Sequence, residues 1–274
     1  MTTPWSAKDD QLVLLHRVPL NTCDKNVAIL TLNRPHQLNC FNAELCYRLA
    51  SLVSEQLVDD TSLAAVILTG AGASFCAGAD LTNPPNPIEQ SSDLPHCLAR
   101  NPVYQMSRLT VPLIGALHGH VITGGFELAL ACDILVGDLT VKFRDTHVKF
   151  GLAPCWGLSQ KLQRRVGPGR AKLVSLTAMP ISAQVAYDWG LLDELVVDKT
   201  TSLERAMEIC NLVGRNNHVM VERYKRAIEQ GGSMDLSTGL QRERALGLAH
   251  YLEALQDGTT FEGAKEFITN RSRL

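Results

Sequence analysis

Residues 111–135 read VPLIGALHGHVITGGFELALACDIL and carry the most informative pattern in the chain. The first seven residues are nearly all apolar, which predicts a strand that is buried on both faces. A glycine pair, Gly124–Gly125, precedes a second apolar run that begins at Phe126. Glycine has no Cβ, so the backbone can approach a ligand closely there. The order predicts a buried strand, a turn and a helix that begins at the glycine pair.

Glu127 is the single acidic residue between Phe126 and Ala131. A carboxylate among apolar side chains is costly unless it is paired or used, and burial raises its pKa. A helix start also presents free N–H groups and the positive end of the helix dipole. This combination fits general acid–base chemistry on a carbonyl compound. A plainer interpretation, a first-turn acid that only suits the dipole, stays open at this point.

The composition predicts a soluble, globular chain with one sizeable core. Lys and Arg total 26 against 28 Asp and Glu, a net charge of -2 without blocks of like charge. This balance argues against nucleic acid or a membrane surface as the main partner. No run of apolar residues is long enough for a transmembrane helix, so no membrane insertion is expected. The start, MTTPWSAKDD, does not resemble a secretory signal.

The eight cysteines form neither a CxxC pair nor a Cys/His spacing typical of a metal site. They are predicted to be buried thiols in a reducing compartment. The sequence ends in Ser272, Arg273 and Leu274, which is close to the peroxisomal signal Ser-Lys-Leu. We therefore expect recognition by a peroxisomal import receptor, although a basic tail can end this way by chance.

Periodicity predicts an α/β core to about residue 200, followed by helices. Strands are predicted at 11–17, 27–32, 64–68, 111–117, 141–148 and 195–197. Helices are predicted at 42–58, 98–108, 158–166, 168–177, 203–213, 219–229, 236–255 and 260–267, with a short one after Ser182. Alternation along 141–148 would place Asp145 and His147 on one strand face. The polar, proline-rich residues 82–93 are predicted to form a mobile loop over a site.

Two backbone segments are suited to hold an oxyanion: Gly124 at its helix start, and Ala77–Ala79 after a buried strand and a glycine loop. Two converging N–H groups would polarise a carbonyl and stabilise an enolate. Both segments also read as ordinary tight turns. The chain lacks GxGxxG after its first strand, a GK[ST] loop and a GxSxG elbow. These absences disfavour a nicotinamide cofactor, a P-loop and a serine hydrolase.

Several motifs resemble the enoyl-CoA hydratase/isomerase, or crotonase, family. They occur in the family's order and spacing over residues 11–270: Thr31–Pro35, Ser74–Leu81, His118–Gly119, Gly124–Ala129 and Cys132–Ile134. Residues 145–162 look most similar to plant-type peroxisomal monofunctional enoyl-CoA hydratases. The resemblance implies a spiral of ββα units over residues 1–200. It also implies a helical region over 201–274 that builds homotrimers, often paired as hexamers.

The resemblance also implies acyl-CoA thioester substrates and neither a metal nor a separate cofactor, because CoA is part of the substrate. The thioester oxygen would lie between the N–H groups of Ala79 and Gly124. Glu127 matches the first of the family's two catalytic glutamates. The substrate's CoA would lie along one segment: Cys76, Ala77, Gly78, Ala79, Asp80 and Leu81.

Two positions depart from the family pattern. His147 stands where the family has its second catalytic glutamate, and Thr82 stands where it usually has a lysine. The second departure puts the CoA phosphate contacts in doubt. With one glutamate, Glu127 must do most of the proton transfer. Our hypothesis is that Glu127 activates water and returns a proton to Cα, while His147 or Asp145 holds the water.

The resulting expectation is a hydratase of fatty-acid β-oxidation in the peroxisome or a related organelle such as the glycosome. It would add water to trans-2-enoyl-CoA to give 3-hydroxyacyl-CoA. One alternative is a Δ3,Δ2-enoyl-CoA isomerase, which needs one carboxylate to move a proton. Another is a non-catalytic acyl-CoA binder, against which the retained Glu127 argues. Acyl chain length and the choice of trimer or hexamer are not fixed by the sequence.

Overall fold

A computed structural model describes residues 11–258, and within them six strands form the main sheet. The sheet order is β1-β2-β3-β4-β6-β9; only β1 runs antiparallel to its neighbour. The central strands β3 and β4 are buried almost throughout, as their apolar runs predict. The strands are β1 (Val13–Pro19), β2 (Asn26–Leu32), β3 (Leu63–Gly70), β4 (Leu113–Leu117), β6 (Ile134–Asp138) and β9 (Glu194–Val196).

A second, three-stranded sheet has the order β5-β7-β8. Its strands are β5 (His120–Ile122), β7 (Lys142–Arg144) and β8 (Ile181–Ser182). β5 follows β4 after a short turn, and helix α5 (Gly124–Leu130) follows β5 directly. This strand–strand–helix succession confirms the predicted α/β spiral of ββα units, and it brings the start of α5 close to both sheets.

Most predicted helices are present within a few residues of their expected ends. Asn42 caps α1 (Ala43–Gln56), since its side chain accepts a hydrogen bond from the Leu45 N–H at 2.9 Å, and Ser182 caps α9 (Ala183–Asp188) in the same way. The helices are α1 (Ala43–Gln56), α2 (Pro87–Ser91), α3 (Pro95–Leu98), α4 (Pro102–Met106), α5, α6 (His147–Phe150), α7 (Leu158–Val166), α8 (Pro168–Thr177), α9 (Ala183–Asp188), α10 (Ser202–Gly214), α11 (His218–Gly231) and α12 (Leu236–Gln256).

The predicted strand over 141–148 is wrong beyond Arg144. β7 ends there because its partner β5 is only three residues long. The chain then turns, because the Thr146 N–H donates to Thr123 Oγ1 at 3.0 Å and the His147 N–H donates to Asp145 Oδ1 at 3.1 Å. His147 therefore begins a helix, and it does not lie on a strand face.

Two further predictions need correction. The single helix over 98–108 is divided into α3 and α4, because Pro102 begins a new helix that Asn101 caps through the Tyr104 N–H. The loop over 82–93 contains α2, which begins at Pro87 and is capped by Asn86. Proline is tolerated in a first helical turn, where its missing N–H costs nothing.

The chain divides into two compact units after Gly214, later than the predicted boundary at residue 200. The difference is α10, which buries Ala206 and Cys210 in a cluster with side chains of β2, β3 and β4. In the second unit, α11 and α12 pack against each other, and Arg223 pairs with Glu253 between them. The predicted role of this C-terminal region in oligomers stays a prediction.

None of the eight cysteines, which all lie between residues 11 and 258, forms a disulfide, but they are not all buried as predicted. Cys23 and Cys40 are half-buried and Cys155 is exposed. No helix between residues 11 and 258 is long and apolar enough to cross a lipid bilayer. The predicted helix over 260–267 and the tripeptide Ser272–Leu274 lie outside the described residues.

The side chain of Asn39 connects the loops that lead into the site through hydrogen bonds. It is fully buried, and its backbone has a left-handed φ of 57°. Its Nδ2 donates to the carbonyls of Ala71 and Ser74 at 2.8 and 2.7 Å, and its Oδ1 accepts from the Arg34 N–H at 2.8 Å. The Cys76 thiol lies 3.1 Å from the Asn39 carbonyl oxygen. Asn39 thereby fixes the start of the segment that runs from Cys76.

We expect Asn39→Ala to destabilise the fold by about 3 kcal/mol, because buried backbone groups lose their partners. At this chain length such a loss corresponds to a fall in Tm on the order of 6–12 °C. Asn42→Ala, which removes only the cap of α1, is the control and should cost about 1 kcal/mol. Thermal unfolding followed by circular dichroism measures both effects. If Asn39→Ala lowered Tm no more than Asn42→Ala, the proposed structural role of Asn39 would be contradicted.

Candidate active site

The start of α5 is pressed against the segment that begins at Cys76. Cys76 pairs with β5: its N–H donates to the His120 carbonyl, and its carbonyl accepts from the Ile122 N–H at 3.0 Å. A Cβ on Gly125 would lie 2.3 Å from the Cys76 carbonyl oxygen, so only glycine fits there. Thr123 precedes the helix with a strained φ of 50°. Gly125 is thus required by the close approach of two backbone segments.

The segment Cys76–Leu81 continues past the start of α5. Gly78 has a φ of 99°, and a Cβ there would lie 2.9 Å from the Ile122 carbonyl oxygen. The Phe41 N–H donates to the Gly78 carbonyl, and the Asp80 N–H donates to the Phe41 carbonyl, both at 2.9 Å. Among the described residues, neither the Ala79 N–H nor the Gly124 N–H has a hydrogen-bond acceptor. These are the two N–H groups that the sequence predicts to be oxyanion donors.

The outer part of this segment is fixed by an ion pair. Asp80 lies 2.9 Å from the Arg34 guanidinium, and hydrogen bonds from Thr82 and then Arg34 lower the pKa of Asp80 to about 2. The Ala77 N–H donates to the Leu38 carbonyl at 3.0 Å. Leu81 is exposed. Six of the seven predicted substrate-binding residues, Cys76 to Leu81, therefore lie on one anchored backbone segment, and the seventh, Gly124, begins α5.

Glu127 is 2% exposed, and its two carboxylate oxygens have different surroundings. Oε1 accepts hydrogen bonds from the N–H groups of Trp156 and Leu158, at 2.9 and 3.2 Å. Oε2 faces His147 Nε2 at 3.8 Å. This distance is too long for a direct hydrogen bond, but a water about 2.8 Å from both atoms could bridge them. Oε1 is therefore fixed by two hydrogen bonds, and Oε2 is left to accept or donate a proton.

Burial raises the pKa of Glu127 above that of an ordinary glutamate. The nearby His147 and the two N–H donors act in the opposite direction, and Asp145 adds to the rise. A raised pKa makes a carboxylate a stronger proton acceptor than an ordinary glutamate, which suits a general acid–base group.

Asp145 fixes the orientation of the His147 ring. Its Oδ1 lies 2.8 Å from His147 Nδ1, and both side chains are buried. A carboxylate only accepts hydrogen bonds, so Nδ1 carries a proton and Nε2 is turned towards Glu127. Asp145 thus lies behind the ring and does not hold a water in front of Glu127. Of the two candidates predicted to hold water, the geometry favours His147.

The charges of Asp145 and His147 each favour the ionised form of the other residue. Burial alone would lower the pKa of His147, but the Asp145 hydrogen bond and the charges of Glu127 and Asp145 raise it. Burial alone would raise the pKa of Asp145, but hydrogen bonds from His147 and Ser175 lower it. The arrangement favours an ionised Asp145 beside a His147 that stays protonated to higher pH than a free histidine.

The turn that carries Asp145 and His147 is tied to the start of α5. The Thr123 N–H donates to the Arg144 carbonyl at 2.8 Å, and Thr123 Oγ1 accepts from the Thr146 N–H. Thr123 also precedes Gly124. One residue therefore sets the position of both the predicted oxyanion donor and the histidine.

Residues 22–272 match the family described as Enoyl-CoA hydratase/isomerase. The chain belongs to this family. It is 40% identical over 96% of each chain to the probable peroxisomal enoyl-CoA hydratase 1 of Arabidopsis thaliana. It is 35% identical to the short-chain-enoyl-CoA hydratase of Clostridium acetobutylicum, over 85% of this chain and 90% of that one. Among solved structures, it is similar to a putative enoyl-CoA hydratase from Thermobifida fusca in complex with acetoacetyl-CoA. That likeness has a TM-score of 0.75 and 26% identity over 88% of this chain and 95% of the other.

Sequence reasoning did not identify every residue of the site of this enoyl-CoA hydratase/isomerase family member. The sequence predicts only a loop over 151–157, yet the Trp156 N–H donates to Glu127. It predicts only a helical position for Leu158, whose N–H is a second donor to the same oxygen. The sequence does contain one signal, Gly157, because glycine readily adopts a positive φ. Its φ of 103° allows Trp156 and Leu158 to direct their N–H groups at one oxygen.

We expect Asp145→Asn to lower the pKa of His147, because the negative charge that raises it is lost and the hydrogen bond to Nδ1 becomes a weaker, neutral one. Glu127→Gln removes only a charge and should lower it less. Titration of ¹³C-labelled histidine by NMR measures these values, and His147→Ala identifies the resonance. An unchanged His147 pKa in Asp145→Asn would contradict the Asp145–His147 contact.

Proposed function

We propose that this chain is an enoyl-CoA hydratase that adds water to trans-2-enoyl-CoA, giving 3-hydroxyacyl-CoA in fatty-acid β-oxidation. The observation that carries the proposal is the buried Glu127, anchored at Oε1 by two N–H groups and facing an Asp-paired histidine with Oε2. The names of the Arabidopsis and Clostridium relatives support the hydratase activity. The acetoacetyl-CoA complex of the similar structure supports an acyl-CoA substrate.

The proposed thioester site uses the N–H groups of Ala79 and Gly124. The carbonyl oxygen of the substrate accepts from both, which draws electron density from the double bond and makes Cβ electrophilic. Negative charge collects on this oxygen when water attacks, and donors placed in advance stabilise that charge. Loss of one such donor typically costs about 10²–10³ in rate. The CoA moiety extends along Cys76–Leu81.

Glu127 is the proposed acid–base residue for both halves of the reaction. Its ionised Oε2 accepts a proton from a water that also contacts His147 Nε2. The water oxygen forms a bond to Cβ, and the π electrons move towards Cα and the thioester oxygen as an enolate. Glu127 then returns the proton to Cα, so water is added and the enzyme is regenerated. The proposed reaction needs no metal ion or redox group.

The Asp145–His147 pair is the proposed substitute for a second glutamate. A protonated His147 donates from Nε2 to the water oxygen, which positions the water and turns its hydrogen towards Glu127. Asp145 acts as a positioning residue, because it holds the ring through Nδ1. Its negative charge also balances the imidazolium in a buried site.

Peroxisomal location and oligomer formation belong to the same proposal. The Arabidopsis relative is named as peroxisomal, which supports the location expected from Ser272–Leu274. Exposed large apolar side chains on α11 and α12 favour burial against other copies of the chain in a trimer or hexamer. They are Val219, Met220, Tyr224, Ile228, Leu236, Leu240, Leu248, Tyr251, Leu252 and Leu255.

We expect purified protein to remove the conjugated-thioester absorbance of trans-2-enoyl-CoA, and Glu127→Gln to lower this rate by about 10²–10⁴-fold. The substituted amide keeps the size of the side chain but cannot accept the proton. His147→Ala should cause a smaller loss, because Glu127 still reaches the water. Glu55→Gln, at an exposed position of α1, is the matched control and should retain the wild-type rate.

Three outcomes separate the hydratase from its alternatives. If wild-type protein did not reduce the conjugated-thioester absorbance, the hydratase proposal would be wrong. A new conjugated absorbance from a 3-enoyl-CoA would then identify an isomerase, and CoA binding without turnover would identify a binder. If His147→Ala hydrated at the wild-type rate, the proposed role of His147 would be wrong.

A further inference from the structure

Phe41 and Trp156 form a stacked aromatic pair that the proposed chemistry does not use. Their ring centroids are 5.0 Å apart and their planes differ by 29°. Both side chains are buried, at 4% and 5% exposure. Stacked aromatic rings fill a large volume with few rotatable bonds, so the pair forms a rigid wall.

The residues of this ring pair contact Glu127, Gly124 and Ala79. The Trp156 N–H holds Glu127, so its side chain starts beside the catalytic carboxylate. The Phe41 ring occupies the space directly next to Gly124, where an added Cβ would lie 2.3 Å from its Cζ atom. The main chain of Phe41 is also paired with Ala79. The two rings therefore bound the space between the proposed N–H donors and Glu127.

The indole nitrogen of Trp156 adds a second observation. Nε1 is buried and has no hydrogen-bond partner among the residues from 11 to 258. A tryptophan that only fills a core normally has its N–H satisfied, because a buried donor without an acceptor is unfavourable. A buried indole donor without an acceptor, on a residue whose backbone N–H binds Glu127, is therefore better explained by a ring that borders a ligand space than by simple core packing.

We propose that Phe41 and Trp156 close the acyl site beyond the reacting double bond, and so restrict the substrate to short-chain trans-2-enoyl-CoA. The inference rests on the proposed hydratase function. The reacting carbons must lie within reach of both the Ala79 and Gly124 donors and Glu127. Acyl carbons beyond Cβ continue past that point, towards the rings. Both rings are anchored through backbone hydrogen bonds at their own residues, so they cannot yield as readily as a flexible side chain.

The test compares kcat/KM for a four-carbon and a ten-carbon trans-2-enoyl-CoA. We expect wild type to prefer the four-carbon substrate. Phe41→Leu and Trp156→Leu each remove part of the wall and should raise the ten-carbon to four-carbon ratio by at least about tenfold, the lower end of what one methylene in an apolar pocket is worth. Because this ratio compares two substrates with the same variant, a lower fraction of folded enzyme does not change it.

Two controls separate wall shape from general packing. Trp156→Phe keeps an aromatic ring in place and should leave the ratio within about threefold of wild type. Phe143→Leu shortens a ring of the other buried aromatic pair, Phe126–Phe143, whose centroids are 4.8 Å apart. It should lower Tm without changing the ratio.

Each outcome decides the inference. A wild type that already prefers the ten-carbon substrate overturns it, as do leucine variants that slow both substrates equally. A wild type that hydrates neither substrate overturns the proposed function and this inference with it. That result is distinct from hydration with an unchanged length preference, which overturns the ring-pair inference alone.

Discussion

The carboxylate of Glu127 is held inside the protein by two backbone N–H groups, and the remaining geometry of the site depends on this contact. Trp156 and Leu158 occupy one oxygen, so the other oxygen has a fixed direction. A buried carboxylate is unfavourable without such partners. The same contact fixes loop 151–157 against α5 and places the main chain of Trp156 beside the acid. The position of the catalytic carboxylate and the position of the proposed acyl wall therefore both depend on the hydrogen bonds to Glu127 Oε1.

A histidine–aspartate pair can take the place of a carboxylate here because of its charge and geometry. Asp145 turns Nε2 towards Glu127 and raises the pKa of His147, which favours the imidazolium form, the form that can donate to water from Nε2. The positive ring also favours the ionised form of Glu127, against the burial that raises the pKa of Glu127. A second glutamate would instead add a like charge. In the proposed hydratase, proton transfer thus rests with Glu127, and water placement with His147.

The sequence predicted those features that depend on local pattern. The apolar run before Gly124 predicted the buried β4, and Glu127 among apolar residues predicted a buried acid with a raised pKa. Features that depend on tertiary contacts were missed. The partners of Glu127 lie about thirty residues further along the chain, and no periodicity links them. The strand over 141–148 was overestimated, because alternation cannot reveal that β5 offers only three residues for pairing.

The central claim is that one carboxylate takes the proton from water and gives it to Cα. Both new bonds must then form on the face of the double bond that Glu127 contacts. Hydration in D₂O, followed by NMR of the product, measures this directly. The account predicts a single diastereomer, with deuterium at Cα on the same face as the new hydroxyl. Addition to opposite faces, or a mixture at Cα, would contradict it and would require a second proton donor.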